Sequence, residues 1–371
     1  MKITIAFITI LALISMTGFG KKGSATPTHS RSARSRSPGA SSQKFAEKTK
    51  FHKALVKVAP MSEIAKPVNI LVDAEQIYIV SGAKIYIYSA KDYSFKKVFG
   101  KKGEGPGEFK VENNIGLQLS PFHNDLMITT SNKLHFYSKD GKQIKVILNP
   151  PNARGVLRFG TNNYLGRSYE DKEGKLAEII NLYDSNFNKV KEIYQRIELK
   201  TGDRRIYLFD LEKRIMFKSG KEHIYILNKN EFNIRIYDKN GNFSHALEKD
   251  FPFVEITDND KELLFNYYKF LVKDFMRLKP RLVIPKYYPA IFDFTEIDNK
   301  LYVLTWKVVD KKREILVVDL KGKMLLKSFI PHKGPLRGDG ISPYCFYNNK
   351  LYQLYDNPDT ETWELLVHEV K

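Results

Sequence analysis

His223-Ile224-Tyr225-Ile226, Ile234-Arg235-Ile236-Tyr237-Asp238 and Lys239-Asn240-Gly241-Asn242 follow one another as strand, strand and turn. Ile234 to Tyr237 alternates apolar and polar, the period of a half-buried strand. Asn-Gly supplies the positive φ that a tight hairpin requires. The same phrase recurs along the chain. Second-strand landmarks read Gln76-Ile77-Tyr78-Ile79, Asp125-Leu126-Met127-Ile128, Asn163-Tyr164-Leu165, the His223 segment, Lys300-Leu301-Tyr302-Val303 and Lys350-Leu351-Tyr352-Gln353. Third strands keep step: Ile85–Tyr88, Leu134–Tyr137, Ile179–Asp184, Ile234–Asp238, Ile315–Asp319 and Leu365–His368. Turns such as Lys139-Asp140-Gly141-Lys142 and Lys321-Gly322-Lys323 follow.

Units of about 40–60 residues, each a meander of four short strands, are propeller blades, which hide their two faces only by stacking around an axis. Six such units predict an all-β chain folded as a six-bladed β-propeller. The last unit runs out after three strands, Ile341–Tyr347, Lys350–Tyr355 and Thr362–Val370. The strand-like segment Phe51–Val58 stands before the first blade and is expected to close the ring by supplying the missing strand. One insertion, at about 257–279 between blades four and five, reads as a helix. Thr257 or Asp258 caps it, Leu263, Leu264, Tyr267, Phe270, Leu271, Phe275 and Leu278 repeat at helical spacing, and Lys279-Pro280 ends it. It is expected to pack on the propeller; a lid or a partner-docking helix is the alternative.

Ahead of the blades, Lys2, an apolar run from Ile3 to Met16 and the small-residue exit Thr17-Gly18-Phe19-Gly20 describe a secretory signal peptide over 1–25. An uncleaved membrane anchor is the alternative reading. Residues 26–50, rich in Ser, Lys, Arg, Gly and Pro, read as a disordered basic linker, and 51–371 as the propeller. The formal net charge is +19. Residues 1–60 hold eleven Lys and Arg against the single acid Glu47, so half of that excess precedes the blades. This argues against nucleic acid as partner and makes peripheral contact of the linker with anionic lipid the expected use of the charge. The lone Cys345 cannot form an intrachain disulfide and reads as a buried thiol.

Residues 98–109, Val-Phe-Gly-Lys-Lys-Gly-Glu-Gly-Pro-Gly-Glu-Phe, resemble the linker of NHL-type repeats and of similar bacterial six-bladed propeller proteins. The match is carried by Phe99, Gly100, Gly103, Gly105, Pro106, Gly107, Glu108 and Phe109, with a degenerate second copy at 331–340. The resemblance implies a connection between the outer strand of one blade and the inner strand of the next. The glycines supply freedom at a sharp crossing, and Phe109 is expected to anchor it in the core. Neither the Walker order nor the dinucleotide fingerprint is present, so a phosphate cradle is not expected.

No histidine pair has metal-ligand helical spacing and no nucleophile elbow occurs, so no catalytic residue, metal ligand or cofactor is assigned. The Arg337-Gly338-Asp339 tripeptide is read as a chance match to an integrin motif. The expected function is an exported binding or scaffold propeller that recognises a peptide, carbohydrate or partner protein on one face. Lys101, Lys102, Arg154, Arg158 and Arg337 are the candidate ligand-binding residues, because they fall near strand-to-strand connections. The alternative is a metal-dependent hydrolase or lyase at the central channel, for which Asp73, Glu112, Asn113, Asn114, Asn163, Asp293 and Glu296 are the candidate residues. The expected location is periplasmic or extracellular.

Overall fold

A computed structural model describes residues 55–111, 117–122, 125–130, 132–197, 206–207, 215–228, 232–271, 276, 279–331 and 343–370. The leader, the linker, Arg337 and its tripeptide, and Glu112 to Asn114 lie outside these residues.

Six four-stranded antiparallel sheets form the ring. Blade one is Pro67–Val72, Gln76–Ser81, Lys84–Ser89 and Phe95–Phe99. Blade two is Gln118–Phe122, Asp125–Thr129, Lys133–Ser138 and Gln143–Leu148. Blade three is Arg154–Phe159, Asn163–Lys172, Lys175–Tyr183 and Lys189–Ile197. Blade four is Met216–Ser219, Ile224–Asn228, Asn233–Tyr237 and Phe243–Glu248. Blade five is Ile291–Ile297, Lys300–Val309, Lys312–Asp319 and Met324–Pro331. Blade six takes Tyr344–Tyr347, Lys350–Asn357 and Thr362–Glu369, and its outer strand is Leu55–Pro60.

That outer strand is the expected closure. It runs antiparallel to Thr362–Glu369, with Leu55 opposite His368, Val58 opposite Leu366 and Pro60 opposite Glu364. Met61 and Ile64, just beyond it, are buried with Ile70, Ile77, Leu354 and Val367 in the core between blades six and one. Each of the other five seams has a core of the same kind. The apolar residues of the repeat are therefore spent between blades, as the stacking argument requires.

The recurrent Tyr-Asp ending has a local cause. Asp238 accepts hydrogen bonds from the backbone N–H of Asn240 and Asn242, both at 2.8 Å. Asp184 and Asp319 grip the turns that follow them in the same way. Gly241 follows with a φ of 73° and the ladder slips by one residue, the turn-plus-bulge solution to a short hairpin.

The helix runs Asp258–Leu271 and begins with a reciprocal cap. The Asp260 N–H donates to Thr257 Oγ1 at 3.2 Å, and the Thr257 N–H donates to the Asp260 carboxylate at 3.0 Å. Leu264 is buried with Ile256, Tyr288 and Trp306 against blade five, Phe265 packing at the edge of the same cluster. The helix thus docks on the propeller body. The excursion leaves and returns through a short antiparallel stem. In it the Ile256 N–H donates to the Lys286 carbonyl and the Tyr288 N–H to the Val254 carbonyl, each at 2.9 Å.

Candidate functional site

In an antiparallel four-stranded blade, the link to the next blade and the hairpin between strands two and three fall on the same side. We call this the connection face; the remaining turns form the turn face. First strands of neighbouring blades touch at the seams other than that of blades four and five, and each begins at the connection face.

Lys101 and Lys102 lie on the connection face, in a two-residue strand that pairs in parallel with Glu108–Phe109. Lys101 forms an ion pair with Glu108 at 3.0 Å, and Lys102 is exposed. Glu108 also accepts a hydrogen bond from the Gly105 N–H at 2.8 Å, so the glycine loop carries its own anion. Those contacts hold the Glu108 carboxyl below its ordinary range, the Gly105 amide first and Lys101 after it. Phe109 is fully buried, as expected of the anchor. Gly100 sits at φ 84°, where an added Cβ would collide with the Phe109 ring and the Ala83 carbonyl.

Arg154 opens the inner strand of blade three, also at the connection face, with its guanidinium 5.9 Å from the Tyr169 ring centre. Arg158 stands toward the other end of that strand and is ion-paired with Asp125 at 2.6 Å. The structure therefore brings Lys101, Lys102 and Arg154 to one face and Arg158 towards the opposite one.

The carboxylates named for a channel site divide similarly. Asp73 accepts from the N–H groups of Glu75 and Gln76 and pairs with Lys139 at 3.0 Å, which makes it a turn former. Glu296 fastens blade four to blade five by accepting from the Lys221 N–H at 3.0 Å and the Asn299 N–H at 2.9 Å. Asn163 opens the second strand of blade three. Among the described candidates, Asp293 joins a group carried by the first strands of three blades. Lys218 lies 2.6 Å from one of its oxygens, and the Tyr344 hydroxyl donates to the other. Burial, then the Asp293 charge, push the Tyr344 phenol well above its usual range. Desolvation raises the neighbouring Cys345 thiol to about 11, so it stays protonated at neutral pH, though the side chain is half-buried rather than fully buried as the sequence suggested. Among the described residues, no group of three or more His, Cys, Asp or Glu is arranged to hold a metal ion.

Near Tyr344 lies Arg313, 2% exposed. Its guanidinium is 4.3 Å from the Phe292 ring centre and 5.6 Å from that of Trp306, and it donates to the Thr305 carbonyl at 2.7 Å. Desolvation lowers its pKa to about 10. Packed among rings in this way, it ties the third strand of blade five to the first and second.

Among the described residues, an open concavity of the connection face lies elsewhere, at the seam of blades four and five. A pocket of about 480 Å³ is lined by Phe232, Asn233, Glu248, Lys249, Asp250, Phe251, Phe253 and Ala290. Asn233 starts the third strand of blade four and Glu248 ends its fourth, so both project at this face. The Asn233 side-chain amide donates to Glu248 at 2.7 Å, while Asn233 Oδ1 is buried without a hydrogen-bond partner. At the rim, Phe253 is 57% and Tyr287 40% exposed, their ring centres 5.6 Å apart. The stem of the helical insertion places both rings. Sequence reasoning missed this site. The signal was Glu248-Lys249-Asp250-Phe251-Pro252-Phe253, where acids and aromatics alternate just after an outer strand.

No family profile matches the chain and no curated protein matches it. Among solved structures, a protein of Bacteroides fragilis inferred to be exported superposes with a TM-score of 0.53 at 14% identity, covering 85% of this chain and 95% of its own. A member of the DUF4221 family from Bacteroides vulgatus (TM-score 0.46, 12% identity, 85% and 99% coverage) and the WD40 domain of Neurospora crassa Pan2 (0.42, 11%, 82% and 90%) are more distant. At such identities the likeness is one of fold, and the chain shares that fold with the Bacteroides fragilis protein along most of its length.

Proposed function

We propose that this chain is an exported binding propeller that holds its ligand at the seam of blades four and five. The observation that carries the reading is the pocket of about 480 Å³ on the connection face. Its volume is that of small-ligand sites, and it joins apolar rings to a few convergent polar groups. Rigid strand ends and the bridged stem hold it, which limits the ordering cost of binding. Export is supported by the sequence of residues 1–25 and by the name of the Bacteroides fragilis neighbour.

The charged groups near the axis support binding over channel chemistry. Asp293, on the first strand of blade five, is already engaged by Lys218 and Tyr344. A thermal-shift screen of peptides, glycans and metabolites against purified protein tests the proposal. A stabilising ligand whose effect disappears in Phe253→Ala supports it; a ligand indifferent to that change, and lost instead in Asp293→Asn, overturns it. Metal analysis of the same preparation addresses the hydrolase alternative, which stoichiometric calcium or zinc would favour.

A further inference from the structure

We infer that the pocket between blades four and five takes a neutral oligosaccharide. This rests on the binding reading given above and narrows it to a chemical class.

The rim and the lining together set the class. The rim offers two exposed aromatic rings side by side, Phe253 at 57% and Tyr287 at 40%. An exposed ring pair attracts a flat, weakly polarised C–H surface through its negative π face and dispersion. Below the rim stand acceptors, the Glu248 and Asp250 carboxylates, which accept only. Covering those carboxylates without supplying donors is costly. The ligand must therefore present an apolar face and several O–H or N–H donors.

Charge narrows it further. Two carboxylates in the lining disfavour an anion. A cation meets Lys249 in the lining itself and Lys286, whose ammonium lies 5.1 Å from the Tyr287 ring centre on the rim. With both signs of charge already in place, electrostatics favours a neutral guest. A purely apolar guest would bury the acids without donors to meet them.

A pyranose meets these conditions together. One face of the ring is C–H, its edge carries vicinal hydroxyls, and it has no charge. The volume accepts one or two such rings. An extended peptide is the weaker fit, because it would bind along an unpaired strand edge, whereas this pocket lies at strand ends.

The test is saturation-transfer NMR with wild-type protein, Phe253→Ala and Glu248→Gln against cellobiose, xylobiose, mannobiose, lactose and chitobiose, with neutral tripeptides and uronic-acid disaccharides alongside. Circular dichroism melts verify that each variant is folded. At least one neutral disaccharide is expected to bind through its C–H face, at least tenfold more weakly in either variant and with unchanged affinity between 50 mM and 500 mM NaCl. If peptides or uronic acids bind and lose affinity in the two variants, the sugar assignment fails while the site stands. Sugar binding that ignores both substitutions would show the site itself to be wrong. Silence from every neutral sugar overturns the proposal.

Discussion

His135 is buried in blade two with its ring edge-on to Phe109 at 5.0 Å, and its Nδ1 has no hydrogen-bond partner. Desolvation, with Lys133 adding repulsion, lowers its pKa from 6.5 to about 4. The unfolded chain therefore takes up a proton below about pH 6.5 while the folded one stays neutral until about pH 4. More protons on the unfolded state means stability that rises with pH. The contribution is complete above pH 6.5 and lost as pH falls through that window. Urea unfolding of wild type and His135→Phe at pH 7.5 and pH 4.5 checks this. The acid loss should be smaller in the variant, and equal losses would sink the assignment. Nothing in Leu134-His135-Phe136-Tyr137 announces this role, because alternation identifies a strand but not the polarity of what its inward side chain meets. The same limit explains Arg158: adjacency to a strand connection does not say at which end of the strand a side chain stands.

The strands themselves were legible element by element. All six second-strand landmarks fall in second strands, since each blade's pattern is local and its turns are closed by local chemistry at Asp184, Asp238 and Asp319. The closing strand was legible by subtraction, from a last blade one strand short, and its register carries the consequence. Leu55–Pro60 covers the open edge of Thr362–Glu369, and Met61 plugs the seam behind it. Deleting residues 51–60 should expose that edge, with a fall in melting temperature of ten degrees or more for the several kcal/mol of pairing and burial removed. An unchanged melting temperature would mean the ring closes without it. The pocket was not legible at this scale. Asn233, Glu248 and Phe253 belong to different elements, and only the stem pairing Val254 with Tyr288 places Tyr287 beside Phe253.

As a whole molecule, the chain distributes its core among six seams, one between each pair of neighbouring blades, with one further cluster under the helix. An open row of repeats can unfold piecemeal, but a closed ring leaves no terminal blade from which to peel. We therefore expect one cooperative transition. Trp306 reports on blade five and the insertion, Trp363 on blade six, and far-UV circular dichroism on all blades. Denaturation curves followed by tryptophan fluorescence and by dichroism should coincide; separated midpoints would show independent blades.

The closing strand also sets an order of events. Leu55–Pro60 leaves the ribosome some three hundred residues ahead of its partner Thr362–Glu369. While the intervening blades are made, the early strand has no native mate and blade one has a bare flank. The last seam to form is therefore the one that joins first-made to last-made chain, a pairing of very long sequence separation and so a slow one. A nascent or translocating chain must remain an unfinished ring throughout that interval, with Ile70 and Ile77 uncovered and the edge of the sixth blade exposed to strangers. Any factor that escorts this protein has its task defined by that gap, which lasts until Glu369 arrives.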